Sequence, residues 1–135
     1  MQIDSNIVGQ TGEAAVAAEL AAAGFYVFAP IFCKPEIDLI AGMDGKLIRV
    51  QVKTLAGDAP FLRFMAQTKS QSSYCGVADW IAFHSLHYGV TAFLKPEEIG
   101  VRPTLRFDED EAHEIKGARY AKDYPLGRVI KELLT

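Results

Sequence analysis

An acidic, an amide and a basic side chain are spaced in the sequence so that one turn would bring them together. Asp38 lies in one apolar run, Gln51 and Lys53 lie in the next, and Asp44-Gly45 stands between the two runs. Asp-Gly flanked by apolar segments is a strong signal for a β-hairpin. A turn centred on this dipeptide places Asp38 opposite Gln51, with Lys53 two residues further along the same face.

The other positions of the predicted hairpin divide into an apolar face and a polar face. The register pairs Ile37 with Val52, Leu39 with Val50 and Ala41 with Ile48 on one side, and Glu36 with Lys53 and Ile40 with Arg49 on the other. A symmetric loop keeps this register, whereas a one-residue bulge would change it. The simplest alternative is that the polar face is the solvated outside of a two-layer sheet.

The polar face carries the side chains that a metal-dependent hydrolase needs. Magnesium prefers hard oxygen ligands and retains several waters. A lysine beside such a site can orient water or stabilise charge that develops on a phosphate. Asp38, Gln51 and Lys53 are therefore candidates for metal-assisted hydrolysis of phosphodiester bonds. Alternatively, Asp38 is a surface polar residue and Lys53 protects an edge strand.

The elements that would carry these residues form a mixed α/β chain. An alanine-rich segment with Val16, Leu20 and Ala23 on one face predicts a helix over residues 9–23, and Gly24 ends it. Apolar runs predict strands at residues 25–29, 37–42, 47–55, 61–66, 77–84 and 89–94, a helical turn at 96–99 and a last helix at 126–134. This order predicts an α/β or α+β domain around a mixed sheet.

Length and composition are those of one folded domain. The 135 residues are 50% hydrophobic, and 14 Lys and Arg stand against 17 Asp and Glu, for a formal net charge of −3. This balance excludes a strongly basic, histone-like binder. We expect a core at residues 1–100 and a C-terminal appendage at residues 101–135 packed on the same domain.

Cysteine content and the N-terminus indicate where the protein works. Two cysteines are too few for a disulfide framework, and the first residues lack the cationic start of a secretory signal, so we expect a cytoplasmic protein. Residues 14–33 contain one charge, Glu19, but Gly24 and Pro30 interrupt them. We expect a buried helix followed by a strand there, and no membrane span.

These features resemble the PD-(D/E)XK nuclease superfamily, which includes many restriction enzymes and Holliday junction resolvases. The resemblance covers about residues 5–100, and consists of the Gly9-Gln10-Thr11-Gly12-Glu13 helix start, the Gly24-Phe25-Tyr26-Val27 strand entry, Asp38, and Gln51-Val52-Lys53-Thr54. Gln51 stands where the family usually has Glu or Asp, as in a subgroup similar to a group I intron homing endonuclease. Tyr74 and residues 77–80 are also similar to that subgroup.

The resemblance implies a restriction-endonuclease-like αβββαβ core and a DNA endonuclease that works by in-line attack of a Mg-activated water. It implies metal ligands at Asp38, Gln51 and the Val52 carbonyl, and Mn²⁺ able to replace Mg²⁺. Lys53 would position the water and support the transition state, and Glu13 would bind a second ion or orient water. The alternatives are a weak or inactive nuclease-fold module that binds nucleic acid or a protein partner, and an unrelated α/β interaction protein.

The resemblance also implies contacts with duplex or branched DNA and a homodimer or larger homo-oligomer. Gly9 and Gly12 would let the backbone approach a phosphate, unless the helix simply starts later. Lys69 and Ser72 would contact the DNA backbone, unless they belong to a plain polar loop. Basic residues of the last third are candidates for a DNA-facing patch: Arg102, Arg106, Lys116, Arg119, Lys122, Arg128 and Lys131.

Overall fold

A computed structural model describes residues 4–31, 36–67, 73–110 and 117–135. The helices are α1 (Ser5–Ala22) and α2 (Gly127–Leu133), and single 3₁₀ turns lie at Pro96–Glu98 and Ala121–Asp123. The strands are β1 (Tyr26–Phe28), β2 (Leu39–Met43), β3 (Lys46–Leu55), β4 (Phe61–Arg63), β5 (Trp80–Ser85), β6 (Val90–Leu94), β7 (Thr104–Arg106) and β8 (Arg119–Tyr120). The predicted mixed α/β class is confirmed.

Helix α1 begins four residues earlier than the sequence pattern predicted. The Asp4 carboxylate accepts a hydrogen bond from the Asn6 amide at 2.7 Å and so caps the first turn. The helix ends at Ala22, and Gly24 then adopts a φ of 102°, which favours glycine. Gly9 and Gly12 both lie inside the helix, so the interpretation that the helix starts after them is wrong.

The main sheet has five strands in the order β1-β2-β3-β5-β6. All its neighbours are antiparallel except β3 and β5, which are parallel. The β2–β3 turn has positive φ at both Asp44 and Gly45, as expected for a two-residue hairpin turn. The predicted register is confirmed where β2 pairs with β3, from Leu39 with Val50 to Met43 with Lys46.

The predicted hairpin pairs before Leu39 do not belong to this ladder. The Asp38 amide donates to the Val50 carbonyl at 3.0 Å, and the Val52 amide donates to Asp38 Oδ2 at 2.8 Å. The Asp38 side chain therefore takes the place that a backbone carbonyl would occupy, and the expectation of Asp38 as the ladder partner of Gln51 is corrected. A short polar side chain competes with backbone pairing in this way at element ends.

Apolar layers cover both faces of the strands that carry the candidate site. On one face, residues of both helices pack against β2 and β3: Val16, Leu20, Leu39, Ala41, Val50 and Val129. On the other face, Leu55, Ile81 and Phe83 pack with Phe64, Tyr74 and Leu105. All six residues of β5 are buried, as is typical of a strand covered on both sides.

The apolar layer on the face opposite the helices includes a second sheet, which the sequence pattern did not predict. Strands β7 and β8 follow residue 100, and they pair with β4 in the order β4-β7-β8. They are only three and two residues long, too short for an alternating pattern. Between β3 and β5, the described residues form β4, an isolated bridge from Gln67 to Ser73 and a turn, without the helix of an αβββαβ order.

Helix α2 packs on the helical side of the main sheet, close to its predicted position. Val129 is buried, and Ile130 and Leu133 pack against the same hydrophobic cluster as α1. Across the described ranges of the chain, neither helix is long and apolar enough to cross a membrane.

Candidate active site

Asp38 lies directly before the first residue of β2, outside the ladder, and its carboxylate binds β3. Its Oδ2 atom accepts the Val52 amide hydrogen at 2.8 Å. Burial raises the pKa of Asp38, although the Val52 amide and the Lys53 ammonium group act in the opposite direction. The net shift in the pKa of Asp38 is upward, so the effect of burial exceeds the effect of the amide and the ammonium group together. A cation bound here would stabilise the charged carboxylate and offset the cost of burying it.

Gln51 lies in the middle of β3, directly before Val52, whose amide binds Asp38, and is only 7% exposed. Its Nε2 group donates to the Val52 carbonyl at a long 3.4 Å. Its Oε1 atom is buried and has no hydrogen-bond partner within the described segments. A buried amide oxygen without a partner costs about 1–3 kcal/mol, so such an atom calls for an explanation. The position excludes a solvated outer face at this residue.

Lys53 is the next residue of β3 on the same face as Gln51, and it is partly buried. Its Nζ atom lies 5.2 Å from the centroid of the Tyr74 ring. Its positive charge opposes the rise in the pKa of Asp38 that burial causes. Asp38 is thus bound to the segment of β3 that carries Gln51 and Lys53 on one face, and a shared site for the three residues stays a prediction.

Glu13 lies on α1, where its carboxyl group is subject to the charge of Asp38. Burial raises its pKa, and repulsion by Asp38 raises it further. The close approach of α1 to the sheet depends on Gly12, because a Cβ atom there would overlap Thr54 Oγ1 and lie 2.8 Å from Thr54 Cβ. The absence of a side chain at Gly12 therefore positions Glu13, and the contact of Gly12 within the protein is with β3.

The other predicted contact residues are distributed around the site. Gly9 lines a groove of about 410 Å³ with Val52, Lys53 and Thr54. Lys69 and Ser72 lie outside the described residues, so their role stays a prediction. Glu36 has one buried oxygen without a hydrogen-bond partner in the described part of the chain.

Three cations of the last third make contacts within the protein. Arg106 is 4% exposed and binds the Asp108 carboxylate. Arg128 donates to the Phe93 carbonyl and to Glu98, and Arg119 donates to the Glu98 carbonyl. Burial excludes Arg106 from an open DNA-facing patch, whereas Arg119 and Arg128 are partly exposed, and their contact with DNA stays a prediction.

The oxygen atoms at the site fit a hard divalent cation. Asp38 and Glu13 would contribute carboxylates, and Gln51 Oε1 and the Val52 carbonyl would contribute neutral oxygens. No three His, Cys, Asp or Glu side chains gather into a metal-binding group among residues 4–31, 36–67, 73–110 and 117–135. A complete ligand set would therefore require the neutral oxygens as well, and the unpartnered Gln51 Oε1 is available for that purpose.

Comparison with known proteins identifies the family. Residues 3–80 match the sequence model of the PD-(D/E)XK endonuclease family, and this range includes every residue of the site described above. The chain belongs to the PD-(D/E)XK endonuclease family. No curated protein sequence matches it.

The fold of this PD-(D/E)XK protein is also found in a solved structure. The chain is similar to the bacterial homing endonuclease I-Ssp6803I, with a TM-score of 0.74 and 12% sequence identity over 98% of this chain and 94% of the other. This match covers more of the chain than the family model does. At this identity the likeness shows the fold, which is restriction-endonuclease-like as expected.

Two contacts of the site were not apparent in the sequence. The Tyr74 ring packs against the Lys53 ammonium group. Asp79 accepts hydrogen bonds from the backbone and side chain of Arg49, which joins the start of β5 to β3. The only sequence signal was the similarity of the segment around them to the homing-endonuclease subgroup.

Proposed function

We propose that this PD-(D/E)XK protein is a magnesium-dependent DNA endonuclease that hydrolyses phosphodiester bonds. The observation that carries the proposal is the buried, unpartnered Gln51 Oε1 on β3, next in sequence to Val52, whose amide binds the Asp38 carboxylate, and two residues before Lys53 on the same face of the strand. Oxygen ligands for a hard cation and a positive charge for a phosphate are thus held on adjacent strands.

Each side chain would have a separate role in the reaction. Asp38, Gln51 and the Val52 carbonyl would hold the metal, which when bound supplies positive charge at the scissile phosphate and lowers the pKa of water. Mn²⁺ is expected to replace Mg²⁺. Lys53 would hold the attacking water in line with the leaving oxygen and balance charge on the phosphate. Glu13 would orient that water or contribute to a second ion.

A nuclease-fold module that binds DNA without cutting it is the second candidate. The observation in its favour is Gln51, because a neutral amide at this position removes one negative charge from the metal site. With Asp38 and Glu13 as the carboxylates, cation binding would be weaker than in a site with three.

Cleavage of plasmid DNA and of a four-way junction tests the two candidates. We expect nicking in Mg²⁺ or Mn²⁺ and none in chelator. Lys53→Ala should reduce the rate by about 100-fold or more while leaving DNA affinity in Ca²⁺ within about threefold. Lys46→Ala is the matched control, since it removes the same charge from the exposed end of β3, where its Nζ contacts Leu133.

The outcomes separate the proposals. Unchanged nicking by Lys53→Ala would overturn the role given to that residue. Retention of DNA without metal-dependent cutting would favour the binding module. If the protein has no DNA affinity even at low salt, where phosphate contacts are strongest, an unrelated interaction protein is indicated.

A further inference from the structure

We propose that Tyr74 is a positioning residue for Lys53, whose ammonium group it holds at the metal site with the face of its ring. The inference rests on the proposed function, in which Lys53 acts on the attacking water and the phosphate. Lys53 Nζ lies 5.2 Å from the centroid of the ring. This is within the distance of about 6 Å at which an ammonium group is attracted to the negative face of an aromatic ring.

Lys53 needs a partner of this kind because its side chain is flexible. A lysine side chain loses about 2 kcal/mol of conformational entropy when it is fixed in one geometry. In the described part of the chain, no carboxylate lies within 4.0 Å of Lys53 Nζ, so no direct ion pair fixes it. The Asp38 carboxylate attracts the Lys53 ammonium group from a longer distance, and the Tyr74 ring restricts the ammonium group by direct contact.

Tyr74 is itself held rigidly by the strands that carry the site. It is 3% exposed and belongs to the same hydrophobic cluster as Phe83, the residue that pairs with Lys53 across the β3–β5 ladder. Its carbonyl accepts hydrogen bonds from the Val77 and Ala78 amides at 2.9 and 3.0 Å. These contacts fix the ring relative to Lys53.

The turn that follows Tyr74 is anchored to β3 as well. It leads directly to Asp79, which binds the side chain and backbone of Arg49 at distances of 2.7–3.2 Å. The Asp79 amide in turn donates to the Arg49 carbonyl at 2.9 Å. Tyr74 and Lys53 are thus connected to one rigid pair of strands, and a shift of either would require this connection to break.

The test varies the charge of the ring face and keeps its shape. Tyr74 is replaced by phenylalanine and then by phenylalanine analogues with increasing numbers of fluorine atoms, which withdraw negative charge from the ring face. We expect Tyr74→Phe to cleave at nearly the wild-type rate. The single-turnover rate constant should then fall stepwise, by about tenfold over the series, with no change in DNA affinity in Ca²⁺.

Phe64→Leu is the matched control for lost packing. Phe64 is a 5% exposed aromatic residue of the same cluster, and its ring lies 4.8 Å from that of Phe83. Its replacement should lower the melting temperature without changing the fluorination response. A rate that is constant across the fluorinated series, or a loss in Phe64→Leu equal to that of the most fluorinated variant, would overturn the proposal.

A second readout does not depend on cleavage. The ε-methylene protons of Lys53, assigned by comparison with Lys53→Arg, should be shifted upfield by the ring current of residue 74. The shift should persist in Tyr74→Phe and Phe64→Leu and disappear in Tyr74→Leu. If the wild-type protein does not cut DNA, the proposed function fails, yet this measurement still decides whether the contact exists. If the contact is absent, the positioning role fails regardless of activity.

Discussion

At the scale of single residues, the site is defined by polar groups that the fold removes from water without complete compensation. The Gln51 amide oxygen lacks a partner among the described residues, and burial raises the pKa of Asp38 and of Glu13. Such groups lower the stability of the metal-free protein. They favour cation binding, because a cation supplies a positive partner for the amide oxygen and for the carboxylates.

Gln51→Glu tests the effect of the missing charge. A glutamate at position 51 would add a carboxylate to a proposed site that already contains Asp38 and Glu13. The added like charge, held in a buried position, should destabilise the metal-free protein by about 1–3 kcal/mol. The same carboxylate should bind Mg²⁺ on the order of tenfold more tightly. Melting curves in chelator and in Mg²⁺ measure both effects. Equal destabilisation in both solutions would contradict a metal-ligand position.

Asp38→Asn should raise the melting temperature at neutral pH while removing cleavage. The folded-state pKa of Asp38 is raised by burial, so the folded protein binds this proton more tightly than the unfolded chain. The free energy of unfolding therefore decreases as the pH rises through that pKa, and the protein carries this loss of stability at about pH 7. Asparagine has no such charge and retains an oxygen for the Val52 amide.

The pH dependence gives the control for this variant. Calorimetry in chelator should show that the advantage of Asp38→Asn decreases as the pH falls through the raised pKa, because Asp38 then becomes neutral in the folded protein. An advantage that is independent of pH, or a less stable variant at neutral pH, would show that burial of the Asp38 charge is not the cause.

At the scale of elements, the contact between α1 and β3 determines where Glu13 lies. Gly12 faces Thr54 without space for a Cβ atom, whereas a Cβ atom at Gly9 would meet nothing within 4 Å. Two glycines of one helix thus serve different purposes. Gly12 permits close packing of the helix on a strand, whereas Gly9 leaves a groove open beside Lys53.

Gly12→Ala and Gly9→Ala should therefore shift stability in opposite directions. Alanine gains about 1 kcal/mol over glycine in a helix interior, and Gly9→Ala should show this gain. Gly12→Ala should instead lose roughly 1–3 kcal/mol, because overpacking against Thr54 exceeds the helical gain. Chemical denaturation measures both, and Thr54→Ala should partly restore Gly12→Ala. A stabilising Gly12→Ala would disprove the close-packing explanation.

At the scale of the whole molecule, one chain offers one candidate site on a sheet covered from both sides. The proposed cleavage of both DNA strands would therefore require two chains, and we propose a homodimer or larger homo-oligomer. The net charge of −3 provides no general attraction for DNA. Arg106, Arg119 and Arg128 each donate hydrogen bonds within the protein, so we expect contacts near the candidate site to supply much of the proposed DNA affinity.

Plasmid products reveal the number of chains that act together. We expect nicked circles at low protein concentration and linear DNA as the concentration rises, with light scattering showing at least twice the mass of one chain. Mixing wild-type protein with equal amounts of Lys53→Ala should enrich nicked circles, because mixed oligomers cut one strand. Linear DNA formed in one event by a protein that remains monomeric would contradict this expectation.

The sequence alone determined those features that depend on neighbouring residues. The alanine-rich pattern specified α1, and Asp44-Gly45 specified the hairpin and its register, because a two-residue turn and the alternation of side chains fix which residues face each other. The order of Asp38, Gln51 and Lys53 then indicated the family and the site. These signals are local, so they are readable without the rest of the chain.

Only the tertiary structure decided how buried and how rigid the site is. Gln51 is buried on a strand whose neighbour β5 packs in one hydrophobic cluster with β6 and with Leu105 of β7, and the Tyr74 ring contacts the Lys53 ammonium group. Asp38 leaves the ladder because its carboxylate competes for the Val52 amide. Such contacts join residues that are distant in sequence, and their free energies depend on which groups the packed fold excludes from solvent.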